Sequence, residues 1–239
     1  KSAVDSVAPG ATATIEVYGS DALNVSTNSG EYIVKDTEGP IKIDQGKKIT
    51  FTTVKEHYAG GGTSSIAKLN RYWTTDTEVY NSNKAIFEVS GTNSVLNLNT
   101  IVISGGVYEY WSRVDLDYEG KGLEYAPLVD LKSGTLNIDS EFDTNNSFCT
   151  LLQDSFGACV QAEDGVSILN NGIIGGSSSW YMPTRAVAIM EDATFNFKSG
   201  RIWGSNGGVY NNGSFNMSGG TIDTNMLFRN RIWWNKDLY

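Results

Sequence analysis

The chain has few of the residues that metal, redox and nucleic-acid chemistry use. Its 239 residues include one histidine, two cysteines and four prolines. One histidine and two cysteines offer no ligand set for zinc. The net charge of -9 argues against nucleic acid or an anionic membrane as a partner, because both need a basic protein face. No run of about 18 apolar residues is present, so no segment is predicted to insert into a membrane.

The chain does contain a repeated unit of short strands joined by glycine and asparagine corners. The cleanest copy, at 206–225, reads NGGVYNNGSFNMSGGTIDTN, with strand signals around Val209, around Phe215 and Met217, and at Ile222. Asn and Gly at the corners tolerate the positive φ of tight turns. About twenty residues with three strands and no room for a helix predict one coil of a β-solenoid.

Further copies lie upstream. They occupy residues 185–206, 158–177, 126–145 and 85–105, and 39–54 has the same alternation at Ile49 and Phe51. The residue that opens the second strand falls at Ser94, Gly134, Gly165, Ala193 and Gly213. The sequence therefore predicts an all-β solenoid, with Leu136, Ile138, Phe195, Phe215 and Met217 stacked inward as ladders.

The repeat also resembles a known family. GGVYNNGSFNMSGGTI, at 207–222, resembles the repeats of secreted and surface-attached bacterial proteins of the pectin-lyase-like fold, and GPIKIDQGKKITF, at 39–51, is similar to their first coil. The resemblance covers about residues 39–225 and implies a right-handed parallel β-helix. It does not define the function, because the same coil carries polysaccharide-degrading enzymes, adhesins and phage tailspikes.

A solenoid is continuous, so residues 1–239 are predicted to form a single domain. Residues 39–226 are the coils. Residues 1–38 alternate like antiparallel or edge strands and are predicted to cap the first coil, as 227–239 cap the last. For Trp233 and Trp234 in this tail, capping is favoured over sugar binding. The chain starts at Lys1 without a signal peptide, which predicts a mature piece of a longer extracellular or cell-surface protein.

Four insertions interrupt the coils, at 55–82, 106–125, 146–157 and 178–184. Each is predicted to join the third strand of one coil to the first strand of the next, which places all four on one edge. Their aromatic side chains suit stacking on a sugar or anchoring an interface, although packing of the loops themselves is the alternative. The predicted ligand-binding residues are Tyr58, Tyr72, Trp73, Tyr108, Tyr110, Trp111, Arg113, Trp180 and Tyr181.

One of the insertions contains part of a calcium-loop pattern. Asp115, Asp117 and Glu119, followed by a glycine, match the first half of such a loop, but position twelve is Ala126 instead of glutamate. A plain acidic turn is the alternative interpretation. Calcium is the one cofactor that the sequence leaves open.

A second acidic group is a candidate for catalysis or calcium binding. Asp139, Glu141 and Asp143 alternate, so they are predicted to point outward from one strand. The equivalent positions in the flanking coils supply no acid, and Lys198 is two coils away. A solvated strand face is therefore the favoured interpretation.

The two cysteines and the histidine give weaker signals. Cys149 and Cys159 lie ten residues apart, and this spacing permits a disulfide that closes a short loop. The secreted character of the repeat favours the bridge, and two buried thiols in neighbouring turns are the alternative. His57 is the one candidate base, but a lone loop histidine is more often simply exposed.

Two classes of function remain. The favoured one is a non-catalytic binding or adhesion module that holds a polysaccharide, such as cellulose or a host glycan, or another host-surface macromolecule. The alternative is a polysaccharide lyase or glycoside hydrolase. Such an enzyme needs carboxylates on neighbouring coils, and the sequence shows no stacked acid column.

Overall fold

The computed structural model describes residues 1–18, 31–35, 40–54, 66–72, 85–107, 127–141, 151–154, 158–175, 186–204 and 208–224. Within these residues the protein is all-β with almost no helix, as predicted. The one helix described is α1 (Ser2–Asp5). No helix in this part of the chain is long and apolar enough to cross a membrane.

Eighteen strands are present in the described residues. In chain order they are β1 (Thr12–Val17), β2 (Glu31–Lys35), β3 (Ile41–Ile43), β4 (Lys48–Thr53), β5 (Lys68–Tyr72), β6 (Phe87–Val89), β7 (Val95–Asn99), β8 (Val102–Val107), β9 (Val129–Leu131), β10 (Thr135–Asp139), β11 (Leu151–Asp154), β12 (Val160–Leu169), β13 (Ile173–Gly175), β14 (Val187–Phe197), β15 (Arg201–Gly204), β16 (Val209–Asn211), β17 (Ser214–Met217) and β18 (Thr221–Thr224).

The strands stack in three columns. The first column contains β3, β6, β9, the first part of β12, the first part of β14, and β16. The second contains β1, β4, β7, β10, the last parts of β12 and β14, and β17; the third contains β2, β5, β8, β11, β13, β15 and β18. All strand pairs in the described ranges are parallel. The chain thus visits the columns in turn, three strands a coil, in a solenoid-like arrangement.

The first two columns form one eleven-stranded sheet because β12 and β14 run through both of them. The third column is a separate seven-stranded sheet. The stacking register between coils follows the predicted corner residues. Gly165 pairs with Ala193. The residues that directly follow the other corners also pair with one another from coil to coil: Val95 pairs with Thr135, Thr135 with Val166, and Thr194 with Ser214.

A corner glycine shows how closely the coils approach. Gly134 has a φ of +92°, and a Cβ built there would lie 2.5 Å from the carbonyl oxygen of Ser94 in the preceding coil. Only glycine avoids both the backbone strain and this contact. The sequence signal that marked the repeat is therefore a consequence of the stacking.

Alternate side chains of the second column point into the core. Leu136, Ile138 and Phe195 are fully buried, as predicted. Phe215 is partly buried against the core, and its ring lies 5.9 Å from that of Phe195 at an angle of 23°. Met217 continues the next ladder but is 48% exposed in the last coil described.

The N-terminal segment adds strands to the columns. β1 is an edge strand, as expected, but it pairs parallel with β4 rather than antiparallel. β2 pairs parallel with β5 in the third column. Helix α1 packs at the end of the first column, where Val4 is fully buried in the core. The predicted cap is therefore largely one more coil, with a helical turn in place of its first strand.

Two of the predicted insertions are wrong in extent. Residues 55–82 include strand β5, and residues 146–157 include strand β11. Residues 55–65 and 142–150 therefore join the second column to the third, not the third to the first. The prediction failed because a long connection separates each of these strands from the rest of its coil, which hid them from a comparison based on fixed spacing.

Candidate functional site

Most of the predicted site residues lie outside the described residues. They are Tyr58, Trp73, Tyr108, Tyr110, Trp111, Arg113, Asp115, Asp117, Glu119, Cys149, Trp180 and Tyr181. Tyr72 is the last residue of β5. The ligand-binding assignments and the calcium loop therefore stay predictions.

The described strand ends define where three of the tryptophan-bearing segments leave and rejoin the sheets. Residues 73–84 follow β5 and precede β6, residues 108–126 follow β8 and precede β9, and residues 176–185 follow β13 and precede β14. Each segment joins the third column to the first. This side of the molecule, between the ends of β5, β8 and β13 and the starts of β6, β9 and β14, is the third-to-first edge.

Two described aromatic residues flank a further crossing of this edge, at residues 205–207. Trp203 is on the outer face of β15, since its neighbour Ile202 points into the core. Its ring packs directly on Gly175, where an added Cβ would lie 2.6 Å from the ring. Tyr210 is on the outer face of β16, in register with Ala188. Aromatic side chains thus occur on both sides of the edge.

The outer face of the first column, next to this edge, carries charged residues that the sequence analysis did not select. Register places Glu88 beside Asp130, and Asp130 beside Gln161. Lys132 Nζ lies 3.4 Å from Glu88 Oε2 and 3.9 Å from Asp130 Oδ2. Lys42 Nζ lies 3.6 Å from Glu88 Oε1. These five residues form the Glu88–Asp130 cluster.

Burial perturbs the acid at the centre of this cluster. The pKa of Asp130 is raised to about 6, first by burial and then by the negative charges of Glu163 and Glu88, against the opposing effect of Lys132. The carboxylates of Glu88 and Asp130 raise the pKa of Lys132. Within the described part of the chain, Asp130 Oδ1 and Gln161 Oε1 are buried without a hydrogen-bond partner. A carboxyl group that titrates near 6 beside a salt-bridged carboxylate has the properties of a general acid.

The alignment of the coils explains why these acids escaped the sequence analysis. Glu88 lies six residues before Ser94, whereas Asp130 lies four residues before Gly134. Aligning the coils on the second strand therefore put the two acids out of register, because the corner between the first two strands varies in length. An alignment on the first strand, which matches FEV at 87–89 with VDL at 129–131, places Glu88 opposite Asp130 and could have found the two acids.

The predicted row of three acids on one strand is wrong. Strand β10 ends at Asp139, whose Oδ1 accepts a hydrogen bond of 2.8 Å from the backbone N–H of Ser140. The N–H of Glu141 then donates to Thr100 Oγ1 at 3.0 Å, so the chain turns instead of continuing the strand. Asp143 lies outside the described residues. Of the two described acids, Asp139 lies on the strand, opposite Asn99.

No group of three or more His, Cys, Asp or Glu side chains is arranged to hold a metal ion in the described ranges. Cys159 is fully buried, and its Sγ lies 3.0 Å from the carbonyl oxygen of Gly175. Because Cys149 lies outside the described residues, the disulfide stays a prediction.

Comparisons of the chain with protein-family models, curated proteins and solved structures find no match. What the protein does is therefore inferred from its own residues and their geometry.

Proposed function

We propose that this protein is a non-catalytic extracellular binding or adhesion module that holds a polysaccharide along its third-to-first edge. Its fold is the right-handed parallel β-helix implied by the resemblance of its repeats to pectin-lyase-like proteins. The ligand is an extended polymer, such as a plant cell-wall polysaccharide or a host glycan. The module is the exposed part of a longer cell-surface protein.

One observation carries the proposal: the segments that contain Trp73, Trp111 and Trp180 all cross from the third column to the first. Neighbouring rows of a column lie about 4.8 Å apart. The first two segments start at the ends of β5 and β8, which are adjacent strands of the third column. The third segment starts at the end of β13, two strands further along this column. Three tryptophan-bearing segments that cross at one edge suit an extended polymer better than a small metabolite, which needs a closed pocket.

The described residues beside the edge support this view. Trp203 and Tyr210 add aromatic surface on either side of a further crossing. Aromatic rings with a polar tip combine apolar contact with hydrogen bonding, which is the combination that a sugar ring requires. The acidic net charge of -9 favours an uncharged polymer over a polyanion.

The test is retention of the full chain on insoluble polysaccharides, both neutral and acidic. The triple variant Trp73→Ala, Trp111→Ala and Trp180→Ala should lose most of its retention, while its melting temperature stays close to that of the original chain. Tyr18→Ala, an aromatic truncation at a 50% exposed site in the N-terminal coil, serves as the control and should retain full binding. Unchanged retention of the triple variant, or no retention of the original chain on any polymer, would overturn the proposal.

The Glu88–Asp130 cluster favours a second candidate, cleavage of a polysaccharide. Glu88 and Asp130 pair on neighbouring strands, whose spacing of about 4.8 Å is compatible with the roughly 5 Å between the carboxyl groups of retaining glycosidases, and the raised pKa of Asp130 suits a general acid. The salt bridges of Lys132 and Lys42 give these acids a structural role as well. Binding is therefore ranked first.

Product analysis separates the two candidates. The retained polymer is assayed for reducing ends, which a hydrolase releases, and for unsaturated ends, which a lyase releases. Retention without either product supports the binding module. Release that disappears in both Glu88→Gln and Asp130→Asn, with retention unchanged, would identify the cluster as catalytic.

A further inference from the structure

The outer face of the second column carries a row of amide side chains. In register, the outward residues of this row are Thr50, Asn97, Asn137, Ile168, Asn196 and Asn216. Asn97 Nδ2 donates to Thr50 Oγ1 at 3.0 Å, and Asn137 Nδ2 donates to Asn97 Oδ1 at 2.8 Å. Further along, Asn216 Nδ2 donates to Asn196 Oδ1 at 3.1 Å. The row is thus two hydrogen-bonded stretches that Ile168 separates.

At Ser167 and Ile168 the usual polar and apolar positions of the column are exchanged, whereas Leu169 keeps the inward apolar position. Ser167 occupies the inward position, in the ladder between Leu136 and Phe195, and is fully buried. Its hydroxyl oxygen has no hydrogen-bond partner in the described part of the chain. An unpaired buried hydroxyl is unfavourable for stability, and the half-buried Ile168 interrupts the hydrogen bonds of the amide row. Where a chain breaks two local rules at once, a functional requirement is the expected reason.

A groove of about 450 Å³ lies over this break. Its lining includes Asn97, Asn137, Asp139, Ile168, Asn170 and Lys198. Asn137 Oδ1 faces Ile168 in the next coil, whose side chain has no hydrogen-bond donor. This oxygen accepts no hydrogen bond within the described residues. The side chains of Asn170 and Lys198 likewise have no hydrogen-bond partner there. The groove therefore offers an apolar centre bordered by unused polar groups.

These features select the chemistry of the ligand. Neighbouring strands of the column lie about 4.8 Å apart, which is close to the length of one sugar unit in an extended chain. Successive sugar units can therefore meet successive coils. The C–H face of a sugar ring can pack on Ile168 while its hydroxyl groups bond to the amides. Asp139 and Lys198 offset each other in charge, and the protein as a whole is acidic. A polyanionic chain has no net attraction to this surface.

We propose that this groove is a binding subsite for an uncharged polysaccharide chain, with Ile168 as the contact for a sugar ring and Asn137 and Asn170 as the hydrogen-bonding residues. The ligand class rests on the function proposed above, but the site is separate: it lies on the second column, not on the third-to-first edge. A chain that follows the groove runs parallel to the stacking direction of the coils.

The test is calorimetric titration of the full chain with soluble neutral hexasaccharides of glucose, mannose and xylose, and with a galacturonate hexamer. Ile168→Asn restores an unbroken amide row, and Asn170→Ala removes a polar group without touching the core. Each should weaken binding of the preferred neutral hexasaccharide about tenfold. Asn216→Ala, in the same row but outside the groove, is the matched control and should bind as the original chain does.

The outcomes separate this subsite from the edge. If Asn170→Ala and a folded Ile168→Asn both bind as tightly as the original chain, the subsite is overturned. Tighter binding of the galacturonate hexamer than of every neutral one also overturns it. Loss of binding in the groove variants, with unchanged binding in the triple tryptophan variant, supports the subsite and counts against the edge. If the original chain binds none of the sugars, the subsite is overturned, whereas the edge is judged separately by retention on the insoluble polymers.

Discussion

Replacing Asp130 by asparagine should change how the stability of the protein depends on pH. The pKa of this carboxyl group is about 6 in the folded protein, against an ordinary value of 3.8. Between these two values the folded protein holds a proton that the unfolded chain has released. The free energy of unfolding therefore falls as the pH rises from about 4 to 6, and the loss is complete above that window. Asparagine, which is always neutral, should remove this fall.

The size of the effect follows from the shift and its setting. A shift of about two pH units corresponds to nearly 3 kcal/mol at about 1.4 kcal/mol for each unit. The side chain of Asp130 is 18% exposed and that of its partner Lys132 is 45% exposed, so solvent screening reduces the figure. Between pH 4 and pH 7.5, the free energy of unfolding of Asp130→Asn should rise relative to that of the original chain by roughly 1–2 kcal/mol.

Urea unfolding at intervals of half a pH unit measures this difference, and a carbon-13 titration of the carboxyl group measures the pKa itself. Glu163→Gln removes one of the charges that raise the pKa of Asp130, so it should show part of the same effect. Glu191→Gln changes an exposed carboxylate two coils away from Asp130 and should leave the pH profile unchanged. Parallel profiles for Asp130→Asn and the original chain, or a carboxyl titration near 4, would refute the reasoning.

Two further predictions test the stacking of the coils. Gly134→Ala should destabilise the protein by more than about 3 kcal/mol, since it adds a backbone clash to an unfavourable φ. Gly10→Ala has the same kind of φ but no atom within 4 Å of its new Cβ, so about 1 kcal/mol is expected; equal losses in urea unfolding would contradict the close approach of the corners. Phe195→Ala should cost roughly 3–5 kcal/mol, because the ring is fully buried in the core. Met217→Ala, at a half-exposed position of the same column, should cost less than about 1 kcal/mol, and a comparable loss at both sites would argue against the inward ladder.

The sequence predicted the strand content, the plan of three strands to a coil and the register of the second column, although it missed the third strand of two coils. It could do so because the corners that begin this column need glycine or another small residue, and such corners stand out in a sequence. Gly134 and Gly165 are required by the approach of the preceding coil, so their positions mark the stacking directly.

The sequence did not predict strands β5 and β11, or the Glu88–Asp130 cluster. Each of these features lies beyond a connection of variable length, and a comparison at fixed spacing loses register across such a connection. The inversion at Ser167 and Ile168 was equally hidden, because GVSIL at 165–169 reads as an ordinary short strand. Which side of the strand faced the core became evident only from its pairing with β10 and β14. Contacts between coils, rather than local pattern, decide these features.

The two strands that run through both the first and the second column have a consequence for the order of folding. β12 and β14 pair along nearly their whole length, with a single irregularity in register. Their paired residues, such as Gly165 and Ala193, are 28 positions apart in the chain, whereas Ser94 and Gly134 are separated by 40. The loop that must close is therefore shorter than the loop between Ser94 and Gly134. The paired residues Thr194 and Ser214 are only 20 positions apart, but β14 pairs with β16 and β17 over fewer residues than with β12, so the β12–β14 pair is the expected nucleus. Synthesis by the ribosome delivers the N-terminal coils first. We expect them to wait, unpaired or weakly paired, until this C-terminal template forms and the remaining coils add to it one at a time.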